Sequence, residues 1–348
     1  MDESSYSSLE AEFGQKFHSA CCDKQIDLAL DLVKECPDLV WFRDPISGES
    51  PLHWSASTGN EALVQAMFDN RHPWNVLDEN GASAGEFAEK EGYASIYNRI
   101  LEEGVRAELI LELLEQAQGL PEEVKDESPI STTKEPSNKD YLGMDLKYSE
   151  DKLLDAEGNG VMMGWEAPLM KLHAEIIAPK EKSAWFGLGL IDNELQLRKP
   201  ASHTIVEAHP DVYSHMLATG WGSKPGVRII FGRWQDNMDA ISDRCYDGIF
   251  FDTFGEYYRD MKEFHEQVPN MLSDDGTYSF FNGLGGDVKL FHDVYCRIAQ
   301  LHLADLNIET TFSQITIDPS SAKVWDGVKR RYWQLQLYHL PTCKFISQ

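Results

Sequence analysis

The chain has 348 residues and a formal net charge of −27, which excludes a protein that grips nucleic acid through clustered Lys and Arg and suits a basic partner drawn in by a long-range field. No apolar run approaches the roughly 18 residues of a membrane span, so no membrane contact is expected. The start Met1-Asp-Glu-Ser-Ser lacks the basic and apolar regions of a secretory signal, which predicts a cytoplasmic and nuclear protein.

The length predicts two domains. The first hundred residues read as helical and repetitive. A helix pair is expected over about Phe13–Cys36. Ser50-Pro-Leu-His-Trp-Ser-Ala-Ser-Thr-Gly59 then opens a unit that Asn60–Asn70 continues as a second amphipathic helix. Ser83-Ala-Gly-Glu-Phe-Ala-Glu-Lys-Glu-Gly92 repeats the pattern 33 residues after Ser50, with Gly59 and Gly92 in register. The period, the Pro-Leu-His and the helix-ending glycines resemble the ankyrin repeat. A small all-α ankyrin-like domain over residues 1–116 is therefore expected, either docking a protein or capping its neighbour. Helical pattern continues from Leu101 to about Ala117. Residues 117–140, rich in Pro, Ser, Thr, Lys and Glu, read as an acidic flexible linker.

Residues 141–348 have a different grammar. Strands are expected near Ser183–Gly187, His203–Glu207, Val227–Phe231, Gly248–Asp252 and Thr277–Phe281. Helices are expected between and after them: Ile191–Arg198, Pro210–Thr219, Gln235–Ser242, Tyr257–Leu272 and Val288–Ala304. This alternation predicts α/β architecture with a mostly parallel, doubly wound sheet. Asn307–Asp318 and Arg330–Leu340 read as a closing antiparallel hairpin. The six cysteines show no Cys-x-x-Cys and no zinc-type Cys/His spacing. No metal is expected, and the thiols read as mostly buried small apolar groups.

In such a sheet, ligands bind outside the carboxyl ends of the strands. Gly187 and Gly189 follow the first strand, Glu207 and His209 the second, Arg233 and Trp234 the third. Asp252 and Thr253 follow the fourth, Asn282 and Gly283 the fifth. A Gly-x-Gly turn lets backbone N–H groups approach a polar ligand. Glu207 suits ribose hydroxyls, and Trp234 offers a flat face to an adenine. There is no Gly-Lys-Ser/Thr for a triphosphate. Asp192 stands where a third glycine would serve a dinucleotide. S-adenosylmethionine, which needs no pyrophosphate cradle, fits best. Upstream, Glu166 opens an apolar helix, where a carboxylate suits the dipole whatever else it does. With Asp252 it forms a pair able to hold a planar guanidinium by charge-assisted bonds. Asp252 is the expected base, and Trp165, Met162 and Met163 the expected wall around the methyl group.

Val161-Met-Met-Gly-Trp-Glu166, Phe186-Gly-Leu-Gly-Leu-Ile-Asp192, Val206-Glu-Ala-His209, Gly232-Arg-Trp234 and Phe250-Phe-Asp-Thr253 resemble the type IV protein arginine (N5, δ) methyltransferases. These are related to guanidinoacetate methyltransferase and also place ankyrin-like repeats before the catalytic domain. The resemblance implies a class I Rossmann-like methyltransferase, with a seven-stranded sheet ending in an antiparallel hairpin. It implies S-adenosylmethionine as donor and a basic, ribosomal protein as substrate, and a monomer is expected. Carried over by motif, the cofactor contacts are Tyr148, Met162, Phe186, Gly187, Leu188, Gly189, Leu190, Glu207, Ala208, His209, Arg233, Trp234 and Asp252. The guanidinium partners are Glu166 and Asp252. One position departs from the pattern. Trp185 stands where the family has the first loop glycine, after a segment, Ala178-Pro-Lys-Glu-Lys-Ser-Ala184, that is poor as a strand. Two other functions stay open on sequence: an inactive relative that binds a basic protein through its repeats, and a methyltransferase for a small guanidino compound.

Overall fold

The computed structural model describes residues 3–118, 141–149, 152–178, 184–187, 190–253, 258–318 and 324–346; for residues 3–11, 116, 118 and 184–187 only the backbone is described. The chain divides into two compact units, residues 1–132 with 288–295, and residues 133–287 with 296–348. The linker expected over residues 117–140 falls, but for its first two residues, outside the described ones. No described helix is long and apolar enough to cross a membrane.

The first unit is built on helices α1 (Glu3–Cys22), α2 (Ile26–Glu35), α3 (Pro51–Thr58), α4 (Glu61–Asp69), α5 (Ala84–Lys90) and α6 (Ala94–Gln118). The 33-residue spacing has a local cause. Ser50 and Ser83 each cap a helix and form a capping box with the residue three positions on, His53 and Glu86. Such boxes satisfy N–H groups that the first turn leaves without partners. Gly59 and Gly92, near the other ends, have φ of +74° and +79°, a conformation that glycine adopts without a Cβ penalty. His53 uses both nitrogens. Nδ1 accepts from the Ser50 N–H at 3.1 Å, and Nε2 donates to the Ala82 carbonyl at 3.1 Å, joining the two copies of the motif.

The second unit carries a seven-stranded sheet and a small three-stranded one. The small sheet, absent from the sequence reading, is β1 (Lys147–Tyr148), β2 (Lys152–Leu154) and β3 (Gly160–Met163), all antiparallel. The large sheet contains β4 (Ala184–Gly187), β5 (Ser202–Glu207), β6 (Val227–Phe231), β7 (Tyr246–Phe251), β8 (Leu272–Phe280), β9 (Ile308–Thr316) and β10 (Leu337–Phe345), in the order β6-β5-β4-β7-β8-β10-β9. The five strands from β4 to β8 run parallel, and β10 and β9 add antiparallel. Helices between the parallel strands include α7 (Ala167–Ile177), which precedes β4, then α8 (Ile191–Leu197), α9 (Pro210–Ala218), α10 (Met238–Ile241), α11 (Tyr258–His265) and α12 (Val268–Met271). Helix α13 (Lys289–Asp305) follows β8.

The strand expected near Ser183–Gly187 is present as Ala184–Gly187, while residues 179–183 of the poor segment before it lie outside the described residues. β4 has four residues, and Trp185 pairs with His203 on one side and Gly248 on the other. A central position supplies ladder partners on both edges, which offsets weak local propensity.

Four local expectations need correction. The single helix expected over Tyr257–Leu272 is two, α11 and α12, because Pro269 lacks an N–H and its ring opposes the carbonyl four residues back. β8 begins at Leu272, five residues before the expected Thr277. The expected strand Arg330–Leu340 starts only at Leu337, and the preceding segment is a loop. Cys21, Cys296 and Cys343 are buried, but Cys36 is half-buried and Cys22 and Cys245 are exposed; all six are free thiols.

The sheet core is aromatic and aliphatic, with Phe250, Tyr278, Phe264 and Phe280 almost fully buried. Helix α7 lies unusually close to β7. A Cβ at Gly248 would sit 2.3 Å from the Ile177 carbonyl oxygen, where no real contact exists. Only glycine permits this approach, and it fixes the helix whose N-terminus carries Glu166. Gly248→Ala is expected to destabilise the protein by about 1–3 kcal/mol, as overpacking does. Urea unfolding measures this, and an unchanged midpoint would contradict the close approach.

Candidate active site

The chain runs from β4 outward through β5 to β6, then returns to place β7 on the other side of β4. Crevices open at the carboxyl ends of strands where the winding reverses. A cavity of about 160 Å³ lies there. That is roughly ten times the 10–15 Å³ that admits one water, so it is a ligand-sized space and no packing defect.

Each wall follows from one strand end. Leu190 comes from the turn after β4, Val206 to His209 from β5, Gly232 to Gln235 from β6, and Asp252 with Thr253 from β7. Glu166 and Met170 enter from the start of α7, and Val161 with Met162 from β3. Strand alternation separates the two methionines. Met162 lines the cavity, whereas Met163 is wholly buried in a cluster with Leu169, Trp333 and Tyr338. Met163 therefore does not serve as the expected wall. Trp165 packs in the same aromatic group, 6.1 Å from Trp325 and 5.9 Å from Tyr332 between ring centres.

Nine of the residues expected on sequence to hold a ligand share this cavity: Met162, Glu166, Leu190, Glu207, Ala208, His209, Arg233, Trp234 and Asp252. Tyr148 does not line it; its ring stacks on His215 at 4.6 Å. Phe186 and Gly187 end β4, where only the backbone is described. Leu188 and Gly189 lie outside the described residues. Trp234 is a core residue as much as a wall. It meets Phe251 and Phe264 edge to face at 6.2 and 5.2 Å, and its buried Nε1 has no hydrogen-bond partner among the described residues.

Glu166 terminates a short 3₁₀ turn (Gly164–Glu166) ahead of α7. Its Oε2 accepts the Met163 N–H at 3.2 Å, and its Oε1 accepts the Tyr332 hydroxyl. Burial, with the Asp252 charge nearby, pushes Glu166 up to about 8, although both donors pull it down. Burial also pushes Asp252 up to about 7. No hydrogen bond to the Asp252 side chain is found among the described residues. Glu207 rises to about 7 through burial and the Asp192 charge, opposed by the N–H groups of His209, at 2.6 Å from Oε1, and Ala208. Three carboxyl groups thus line one cavity with titrations raised toward neutral pH, and a cation beside them would pull each back down.

Sequence reasoning missed Tyr332 because it placed that residue in a strand. It also missed a buried chain in the core. Tyr338 accepts the Asn282 N–H at 2.8 Å and donates to His173 Nε2 at 2.9 Å. His173 Nδ1 donates to Ser279 Oγ at 2.8 Å, and Ser279 donates to the Pro341 carbonyl at 2.6 Å. Burial pushes His173 down to about 3, so the neutral ring holds this order of donors. Asp192, read as a substitute for a glycine, is buried and accepts from His203 Nε2 at 2.9 Å, and Gln196 donates to His203 Nδ1.

The family model for guanidinoacetate N-methyltransferase matches residues 129–337. Proteins named protein arginine N-methyltransferase 2 are similar over most of the chain. The one from Aspergillus oryzae is 35% identical, over 84% of this chain and 80% of that protein. The Aspergillus fumigatus protein is 33% identical, over 88% and 89%. The Saccharomyces cerevisiae protein is 32% identical, over 81% and 77%.

The raised carboxyl groups predict a pH dependence. An unfolded chain releases these protons near pH 4, whereas the folded chain without ligand holds them to about 7 or 8. The folded state binds more protons across that window, so this contribution to stability falls as pH rises from 5 to 8. Glu166→Gln removes one such group and is expected to flatten the slope. Urea unfolding at pH 5, 6, 7 and 8 tests this; parallel curves for the two proteins would refute it.

Proposed function

The chain belongs to the guanidinoacetate N-methyltransferase family, and from that premise we propose that it transfers a methyl group from S-adenosylmethionine to the δ nitrogen of an arginine in a basic protein. The observation that carries this reading is the pair Glu166, buried, and Asp252, half-buried, two acids of one cavity that feel each other's charge and differ in hydrogen bonding among the described residues. The relatives' printed names support arginine as the acceptor.

The cavity suits the donor chemically. Among the described residues none of Glu166, Glu207 and Asp252 is ion-paired, although Arg233 also lines the cavity; S-adenosylmethionine would bring a sulfonium. Glu207 in the cavity wall would accept from ribose hydroxyls, and Trp234 Nε1 is a buried donor without a partner among the described residues. The sheet order β6-β5-β4-β7-β8-β10-β9 supports the reading of a class I Rossmann-like methyltransferase. Residues holding the donor would be Met162, Leu190, Glu207, Ala208, His209, Arg233, Trp234 and Asp252, with the turn after β4. When bound, S-adenosylmethionine supplies an electrophilic methyl on a positively charged sulfur.

The residues divide the remaining work. Glu166 has both oxygens engaged by donors and is held in one orientation, so it anchors the guanidinium. Asp252 is free to accept a proton. A guanidinium is a weak nucleophile because its lone pairs are delocalised. Were the methyl to pass to the δ nitrogen, its bond to sulfur breaking to leave a neutral thioether, Asp252 would be the group to receive the proton that nitrogen gives up. The cation restores ionisation of both acids, which prepares Asp252 as the base. Positioning supplies much of the rest.

The charge of −27 supports a basic substrate; that this substrate is a ribosomal protein, met in the cytoplasm and nucleus by a monomer, is proposed from the family resemblance alone. The first unit, with its paired capped helices, is proposed as the ankyrin-like docking array ahead of the catalytic domain.

Purified full-length chain, S-adenosylmethionine and a protein extract from cells lacking the enzyme should yield δ-methylarginine by mass spectrometry after hydrolysis. Asp252→Asn is expected to lower turnover at least about 100-fold, with S-adenosylmethionine binding retained by calorimetry. Unchanged turnover would remove Asp252 as base. Methyl on a terminal nitrogen, or preference for free guanidinoacetate, would overturn the δ-arginine assignment.

A further inference from the structure

We propose that Tyr332 is a positioning residue for Glu166, holding its carboxylate in the plane that receives the guanidinium. The inference rests on the methyl-transfer reading above. It begins from a degree of freedom. The terminal torsion of a glutamate is broad and soft, and one donor, the Met163 N–H on Oε2, leaves the carboxylate able to swing about that contact. The Tyr332 hydroxyl on Oε1 supplies the second point. Two donors on two oxygens, one from the backbone of β3 and one from the loop ahead of β10, fix the plane.

Tyr332 is itself built into place. Its ring lies 5.1 Å from Trp325, edge to face, and 5.9 Å from Trp165. A Cβ at Gly160 would come within 3.1 Å of Tyr332 Cε1, so β3 presents a glycine where the ring approaches. The next residue, Trp333, is fully buried, and its Nε1 donates to the Leu335 carbonyl at 2.7 Å. The Gln334 and Leu335 N–H groups both donate to the Gly286 carbonyl, at 2.7 and 3.3 Å. The loop is pinned directly after Tyr332, which explains how an irregular segment can deliver a hydroxyl to a defined oxygen. Asp252 and Tyr338 are the other titratable groups that act on this assembly.

The role is separable from packing. Tyr332→Phe keeps the ring and its aromatic neighbours and removes one donor; Tyr332→Ala removes both. A hydrogen bond to a charged acceptor is worth enough that Tyr332→Phe should lower kcat about 10- to 100-fold, with S-adenosylmethionine affinity and Tm close to those of the parent. In the Glu166→Gln background the same change should cost much less, because the two residues act as a unit. The second readout needs no turnover. Carbon-13 NMR of glutamate-labelled full-length protein, with Glu166 assigned by its loss in Glu166→Gln, should show Glu166 titrating at higher pH in Tyr332→Phe, since a donor to the charged form is gone. Wild-type kcat and an unmoved Glu166 titration in Tyr332→Phe, with damage only in Tyr332→Ala, would assign Tyr332 to packing and overturn the proposal. If the parent protein methylates no arginine but Glu166 still shifts, the methyl-transfer reading fails and the Tyr332 contact to Glu166 stands.

Discussion

Burying carboxylates around an open cavity is the constraint on which the rest of this structure depends. Glu166, Asp252 and Glu207 each lose the hydration that would stabilise their charge, and each is driven toward the neutral form. The sheet could bury apolar residues there at a gain. It instead keeps acids at three separate element ends, which only a cationic ligand would repay. That demand explains why the donors near these acids are so specific.

The three acids are not equivalent. Glu207 is tied to the N–H groups that follow it at the end of β5, so its position is set by its own chain turn. Glu166 is tied to β3 behind it and to a loop some 166 residues away. Asp252 is left at the strand end without such ties among the described residues. This difference is what the proposed roles require: an anchor that is braced and a base that is left open. The buried chain through His173, Tyr338 and Ser279 gives α7, β8 and β10 a polar connection inside an otherwise apolar core. Satisfied networks of this kind fix relative positions more sharply than apolar contact does.

Much of this was legible in the residues. Alternating strand and helix patterns located every parallel strand, since period and turn signals are local. The polar residues at the strand ends predicted one shared cavity, because a doubly wound sheet gathers those ends. The failures were equally local in origin. The run Arg330–Leu340 has the aromatic content of a strand in Tyr332, Trp333 and Tyr338, yet the Gln334 and Leu335 N–H groups turn to the Gly286 carbonyl and the strand starts only at Leu337. Met162 and Met163 look alike in sequence and face opposite ways by pleat alone. Tyr148 matched a family position, but its ring stacks on His215 beside the cavity instead of lining it.

The sequence by itself determined the alternating pattern of the sheet, the helical repeat with its 33-residue capping period and the acidic charge, and it singled out Glu166 and Asp252, which share one cavity. These follow from local periodicity, charge and chemistry. Only the tertiary structure decided which oxygen of Glu166 is held by which donor, that Tyr332 is one of them, that Gly248 admits α7 against β7, and that Asp252 stands open. Those facts depend on contacts between segments far apart in the chain, at distances of a few ångströms, which no local pattern encodes.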